Sequence, residues 1–254
     1  MGKIISIFNQ KGGVGKTTSS INLSAGIGRL GKKVLLIDLD PQGNSTSGLG
    51  VEKNEVDSQI YDVLALDLPI SEAIHETSAE NVYIIPSNSQ LAGLEIELAR
   101  EGNWEPLLRE KLSNIKDDFD FIFIDCPPSL GILSVLGLIA SNSVIIPIQC
   151  EYYALEGVSQ LFDTIQLVKA NFNPGLDIEG VILSMFDGRT NLSIQVVDEV
   201  KAYFKGKVYV SIIPRNVRLA EAPSHGLSIM DYDDKSKGSE AYMELAEEFL
   251  DLVE

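Results

Sequence analysis

Long apolar runs are missing from this sequence. No stretch approaches the ~18 consecutive apolar residues a membrane-spanning helix needs. The opening MGKIISIFNQ lacks the extended apolar segment and small-residue cleavage site of a secretory leader. These absences read as a cytoplasmic chain. Cysteine is nearly absent: Cys126 and Cys150 are the only two, each beside an apolar run. That excludes a disulfide framework or a Cys-rich metal site and leaves two reduced, largely buried thiols. Basic residues are scarce too, 20 Lys and Arg against 37 Asp and Glu, for a formal charge of -17. A broadly basic nucleic-acid surface is excluded, because overall repulsion from phosphate would oppose association, although a local patch stays open. No repeat, low-complexity block or Pro/Ser-rich linker interrupts the 254 residues. Residues 1–254 therefore read as one domain.

What is present is an alternation of Ile- and Val-rich runs with longer segments of helical period, the pattern of βαβ units around a buried parallel sheet. Strands are expected at 3–9, 33–40, 82–87, 119–127, 143–149, 179–187 and 207–214. Helices are expected at 16–30, 89–101, 104–116, 130–140, 154–171, 191–204 and 237–253. Residues 41–80 are the least regular, with a short helix near SQIYDVLAL. The fold class is α/β, a doubly wound, mostly parallel sheet with helices on both faces. Strands ending near Asn9, Asp38, Asp125 and Asp187 would put their carboxyl ends on the crevice where such sheets bind ligands.

NQKGGVGKTT, residues 9–18, follows the first strand and opens the first helix. Gly12, Gly13 and Gly15 let the backbone approach a phosphate closely, and the helix N-terminus adds oriented N–H dipoles. Lys16 would reach the β- and γ-phosphates, Thr17 would ligate Mg²⁺ and Thr18 would bond the α-phosphate. A dinucleotide fingerprint fits less well, because its third glycine falls on Thr18. The loop departs from G-x-x-x-x-G-K-[ST] at its first position, where Gln10 replaces glycine, and a second lysine, Lys11, follows. Asp125 ends the apolar strand FDFIFI, where an acidic group can hold Mg²⁺ through a water; the alternative is a strand-end cap. Asp38 and Asp40 lie two apart at another strand end. If the strand continues they lean the same way, one near the metal and one near the attacking water; otherwise they are solvated turn acids before Pro41.

Five blocks together resemble the ParA/Soj-type partition ATPases of the deviant Walker-A P-loop group: KGGVGKTT (11–18), LLIDLDPQGNSTSGLG (35–50), IDCPPSLG (124–131), PIQCEYYALEG (147–157) and IPRNVRLAEAPSHG (213–226). The resemblance spans nearly the whole chain. It implies an Mg²⁺-dependent ATPase whose nucleotide contacts include Lys11, Gly12, Gly13, Val14, Gly15, Lys16, Thr17 and Thr18. Lys11 would be the signature lysine that reaches the partner subunit's phosphates in an ATP-bound homodimer. Asp40 would orient the water, with Thr17, Asp38 and Asp125 at the metal. Met185, Pro214 and Asn216 would lie at adenine, with Asp187 close by. The resemblance further implies non-specific double-stranded DNA binding by the dimer on the nucleoid, slow hydrolysis stimulated by a ParB-type protein, and a role in chromosome or plasmid partitioning.

Residues 189–218 hold six basic and two acidic side chains, a local excess inside an acidic chain. That is either a phosphate-reading patch or an ordinary solvated face. The resemblance points to Arg189 and Arg218 as DNA contacts, with Arg215 as a further candidate. A MinD-like positioning ATPase is the alternative within the same group. MinD ends in a basic amphipathic helix, however, and the ending SEAYMELAEEFLDLVE is acidic, so lipid phosphate would repel it. No membrane partner is expected.

Overall fold

A computed structural model describes residues 2–151 and 154–253. Tyr152 and Tyr153, within the block PIQCEYYALEG, lie outside the described residues. The first half contains β1 (Lys3–Ile7), α1 (Lys16–Arg29), β2 (Val34–Asp38), the short helices α2 (Asn44–Gly48) and α3 (Ile60–Ala65), β3 (His75–Glu76) and β4 (Val82–Ile85). Then come α4 (Leu91–Glu101), α5 (Leu107–Ser113), β5 (Phe121–Asp125), α6 (Ile132–Ala140), β6 (Ser143–Gln149) and α7 (Ala154–Asn171). The last part holds β7 (Asp177–Phe186), α8 (Asn191–Phe204), β8 (Val208–Pro214), the one-turn helices α9 (Arg218–Glu221) and α10 (Ile229–Tyr232), and α11 (Lys237–Val253).

The eight strands form one sheet in the order β3-β4-β2-β5-β1-β6-β7-β8, parallel except for β3. Alternate residues of β1 feed opposite cores: Ile4 joins the side of α4 to α8, whereas Ile5 and Ile7 join the side of α1 and α11. Both faces are thus covered, which is why the strands read as nearly continuous apolar runs. α1 lies so close to the sheet that a Cβ on Gly28 would sit 2.2 Å from the Glu80 carbonyl oxygen. Among its buried residues are Ser19, Ser20, Asn22 and Ser24, unusual for a core helix.

Register sets the level of the crevice. Asp125 lies opposite Ile7 of β1 on one side and Asp38 of β2 on the other. The loop after β1 and two carboxylates therefore emerge in one row at the carboxyl end of the sheet. All seven expected strands are present, several of them shorter than expected. β1 ends at Ile7 rather than residue 9, β2 at Asp38 rather than 40, and β5 covers 121–125 rather than 119–127. The strand after Asp38 does not continue: the Asp40 N–H turns back to the Asp38 carboxylate, 3.1 Å away. The region 41–80 is more structured than the sequence implied, because α2, α3 and β3 are too short to leave a periodic signal.

The outer edge at β8 is handled by a side chain. Val210 is 82% exposed there. Glu248 of α11 accepts the Val210 N–H at 2.6 Å and, with its other oxygen, the Ser211 N–H and hydroxyl at 2.8 and 2.7 Å.

Candidate nucleotide and phosphate site

The loop between β1 and α1 has the backbone that its glycines predict: Gly13 and Gly15 have φ of 74° and 91°, in the left-handed region. α1's first three N–H groups, at Lys16, Thr17 and Thr18, precede its first backbone bond, Ser19 N–H to the Gly15 carbonyl at 2.8 Å. Those amides are the unpaired donors of a helix start, the usual seat of a phosphate. Val14 is buried, and its carbonyl accepts the Ser184 hydroxyl of β7 at 2.7 Å. Gly12, Gly13 and Lys11 are exposed at the mouth.

The two lysines differ sharply. Lys16 is buried, and its ammonium donates to the Lys11 carbonyl at 3.0 Å. Burial lowers its pKa, while Asp125 and then Asp40 pull it back up. Lys11 projects from the surface, and among the described residues only its backbone is held: the Lys11 N–H donates to Asn9 Oδ1 at 3.0 Å.

Asp38 and Asp125 have no solvent exposure, and Asp40 has 8%. The Asp38 carboxylate accepts the Thr46 N–H and hydroxyl at 2.9 and 2.8 Å. Asp125 accepts the hydroxyls of Ser20 at 2.9 Å and Ser45 at 2.7 Å, and the Thr17 hydroxyl as well. Burial first, and then the neighbouring Asp125, push the Asp38 carboxyl up to about 7 against the hydrogen bonds from Thr46 and the Asp40 amide. Burial likewise raises Asp125, against the pull of those three hydroxyls. Like charges in one low-dielectric pocket explain both shifts, and a cation placed between them would reverse both. Among the described residues, no three His, Cys, Asp or Glu side chains form a metal site by themselves. The donor set fits a magnesium that keeps its waters and takes phosphate oxygens, with the Thr17 hydroxyl beside it.

Next to this centre lies a cavity of about 350 Å³, bordered by Gly15, Thr18, Met185, Pro214, Arg215 and Asn216. Met185 has φ 52°, a left-handed conformation uncommon for a residue with a long side chain. Asn216 Oδ1 accepts the Arg218 N–H at 2.8 Å. The cavity lining includes Tyr242, whose hydroxyl pairs with the Ser19 hydroxyl of α1 at 3.1 Å. A flat aromatic base beside a phosphate cradle is what such a cleft accommodates.

Arg215 lines the cavity's rim, and Arg189, Arg215 and Arg218 each face a carboxylate. Arg189 grips Asp187 through two nitrogens, at 2.8 and 2.7 Å. Arg215 pairs with Glu151 at 2.8 Å, and Arg218 with Glu221 at 2.8 Å and Asp233 at 3.5 Å. Lys207 meets Asp177 at 3.2 Å. The basic excess counted over 189–218 is therefore offset in space: Asp187 and Glu221 fall just outside that window, and Glu151 is remote in sequence.

Several functional contacts have no local sequence signal. Ser20, Ser45 and Thr46 brace the carboxylates, Ser184 anchors the loop, and Glu151 meets Arg215. A hydroxyl at helix spacing from a phosphate loop is detectable only once Asp125 is known to sit behind it.

A phosphate loop on a doubly wound sheet, with a buried lysine, strand-end carboxylates and a base-sized cleft, defines a P-loop nucleoside triphosphatase. A family model described as an AAA domain matches residues 2–178. The sporulation initiation inhibitor protein Soj of Bacillus subtilis is 57% identical over 98% of both chains. The chromosome partitioning protein ParA of Myxococcus xanthus is 50% identical, covering 98% of this chain and 88% of that protein. The chain belongs to the ParA/Soj family of chromosome-partitioning ATPases. Among solved structures, cobyrinic acid a,c-diamide synthase from Mycobacterium smegmatis with bound ATP analog and magnesium superposes with a TM-score of 0.85. It shares 36% identity over 97% of this chain and 93% of that one. The cell division ATPase MinD of Pyrococcus furiosus gives 0.79 at 32% identity, covering all of both chains.

Proposed function

We propose that the chain is an Mg²⁺-dependent ATPase that segregates DNA, cycling between a monomer and an ATP-bound sandwich dimer on the nucleoid. The observation that carries this reading is the contrast between its lysines. Lys16 is sealed inside its own loop within the field of Asp125 and Asp40, whereas Lys11, five residues away, points out with its ammonium unengaged among the described residues. A cation so placed can serve only a nucleotide outside its own loop, as an arginine finger does in trans.

In this scheme Lys16 and the amides of residues 12–18 hold the phosphates, and Thr17, Asp38 and Asp125 sit at the metal. Magnesium would neutralise charge that develops on the transferring phosphoryl group. Asp40 orients the attacking water. Met185, Pro214 and Asn216 receive adenine. Arg189, Arg215 and Arg218, doubled by dimerisation, bind duplex phosphates without reading sequence, so binding falls steeply with salt. A ParB-type partner accelerates hydrolysis and returns the dimer to monomer. The whole of 1–254 acts as one ATPase domain.

α11 exposes Glu240, Glu244, Glu247 and Asp251, so anionic lipid would repel this helix. No helix of the described residues is long and apolar enough to cross a membrane.

The test measures ATP turnover and retention on non-specific duplex DNA with ATP and with ADP, in the presence and absence of a peptide from a cognate ParB-type protein. DNA retention with ATP but not ADP, and turnover raised by peptide and DNA together, is the expected result. Equal DNA binding with either nucleotide overturns the switch.

A further inference from the structure

The departure of this loop from the usual pattern sits at Gln10, and its side chain is used. Gln10 has no left-handed φ, so the backbone at this position does not call for glycine. Its Nε2 donates to the hydroxyl of Thr164 on α7 at 2.5 Å, and that hydroxyl donates on to the Gln160 carbonyl at 3.0 Å. Thr164 is 6% exposed, so the bond lies in a protected place.

The flanking residues are tied as well. Asn9 Nδ2 donates to the Pro147 carbonyl of β6 at 2.8 Å, while Asn9 Oδ1 takes the Lys11 N–H. The Lys11 carbonyl takes the Lys16 ammonium. Residues 9–11 are thus fastened to β6, to α7 and to the loop's own lysine, so the Lys11 backbone is fixed while its side chain has no partner among the described residues.

We propose that Gln10 is a positioning residue for Lys11: its bond to Thr164 fastens the root of the outward lysine to α7 and aims its ammonium at a second subunit's nucleotide. The proposal rests on the reading that Lys11 acts in trans. A long lysine loses much rotamer freedom when it makes a single contact, and a fixed root reduces what must be ordered at that moment. Glycine at position 10, as in an ordinary phosphate loop, leaves Lys16 and the phosphate amides in place but releases this tie. The missing glycine and the extra lysine are then one adaptation rather than two.

Five variants test it: Gln10→Gly, Thr164→Val, Thr164→Ser, Lys11→Ala and the Gln10→Gly/Thr164→Val double variant. Each is measured for fluorescent-ATP affinity as a dilute monomer, for ATP-dependent dimerisation and for turnover. Thr164→Val keeps the shape of the side chain and removes its hydroxyl; Thr164→Ser keeps the hydroxyl. Gln10→Gly and Thr164→Val are expected to lower turnover and dimer affinity about three- to tenfold, the span one lost hydrogen bond produces. Monomer affinity for ATP stays near the parent value, and Thr164→Ser behaves as the parent. The Gln10→Gly/Thr164→Val double variant is no worse than either single one, because both remove the same bond.

Parent-level turnover and dimerisation in Thr164→Val overturn the proposal, and so does a Thr164→Ser variant as defective as Thr164→Val, which would mark a packing role. Lys11→Ala separates the two layers. If it loses turnover while Thr164→Val keeps it, only the role of Gln10 falls; if Lys11→Ala itself turns over normally, the reading of Lys11 in trans falls.

Discussion

At the phosphate loop, Asp38 and Asp125 are wholly buried, and the hydrogen bonds that hold them come from neutral donors: the hydroxyls of Thr17, Ser20, Ser45 and Thr46 and two backbone amides. At the surface, Arg189, Arg215 and Arg218 are 89%, 59% and 53% exposed at their side chains, and each is held by an opposite charge. Buried carboxylates hydrogen-bonded only by neutral groups keep an electrostatic demand for a cation that the Lys16 ammonium near Asp125 meets only in part. Exposed arginines paired with carboxylates are nearly satisfied, yet such pairs sit in high-dielectric solvent, hold little net energy and exchange readily for another anion. One region is built to wait for a specific charged ligand. The other is built to trade partners.

The comparison can be broken most severely at Asp40. Asp40→Ala is expected to keep ATP and lose turnover by roughly 10²-fold or more, as removal of a group that positions the attacking water does. The protein then stays dimeric on DNA, as gel filtration and DNA retention would report; ordinary turnover in this variant removes Asp40 from the chemistry. A smaller effect is expected at the surface arginines. Arg189→Ala or Arg218→Ala should weaken DNA retention and reduce the salt slope by about 1 per lost contact, with ATP binding intact. Unchanged retention and slope in both variants would place the DNA surface elsewhere.

The acids that face these arginines give a finer test. If Glu221 competes with DNA phosphate for Arg218, Glu221→Gln strengthens DNA binding about 1.5- to fivefold, the worth of one exposed ion pair. Weaker binding would show instead that Glu221 positions the arginine. The mildest perturbation changes no residue and reads the pH dependence of stability. The Asp38 carboxyl keeps its proton up to about 7 when folded but releases it near 3.8 when unfolded. Between those values the unfolded chain binds fewer protons, so the stability of the nucleotide-free protein falls as pH rises from 4 to 7. Asp38→Asn should flatten that slope in a thermal-melt series, and a parent protein whose melting point is level across the window would count against the buried pair.

The sequence exposes the phosphate end well because its requirements are local. Glycines at left-handed positions, a lysine at the helix start and acids closing apolar strands are all read within a few residues. The five-block resemblance added the family. What stayed hidden is contact between distant segments. Ser45 reaches Asp125 across 80 residues and Gln10 reaches Thr164 across 154, so neither leaves a periodic signal. Charge counting failed in the same way at the surface arginines, where a window of sequence missed acids that space brings in. Strand ends were overestimated at Asn9 and Asp40 because apolarity persists for a residue or two after ladder pairing has stopped. β3 was invisible because two residues cannot display alternation.

Glu248 has a consequence that concerns crowds rather than single molecules. An outer strand with open amides is a template for another strand, and proteins gathered at high density on one surface meet edge to edge repeatedly. Here the amides of Val210 and Ser211 are already occupied by a carboxylate from the same chain. A neighbour's strand would have to evict a negative charge before it could add to the sheet. The fold can therefore tolerate local congestion, and a single acidic side chain on α11 helps to keep a reversible gathering from becoming an irreversible aggregate.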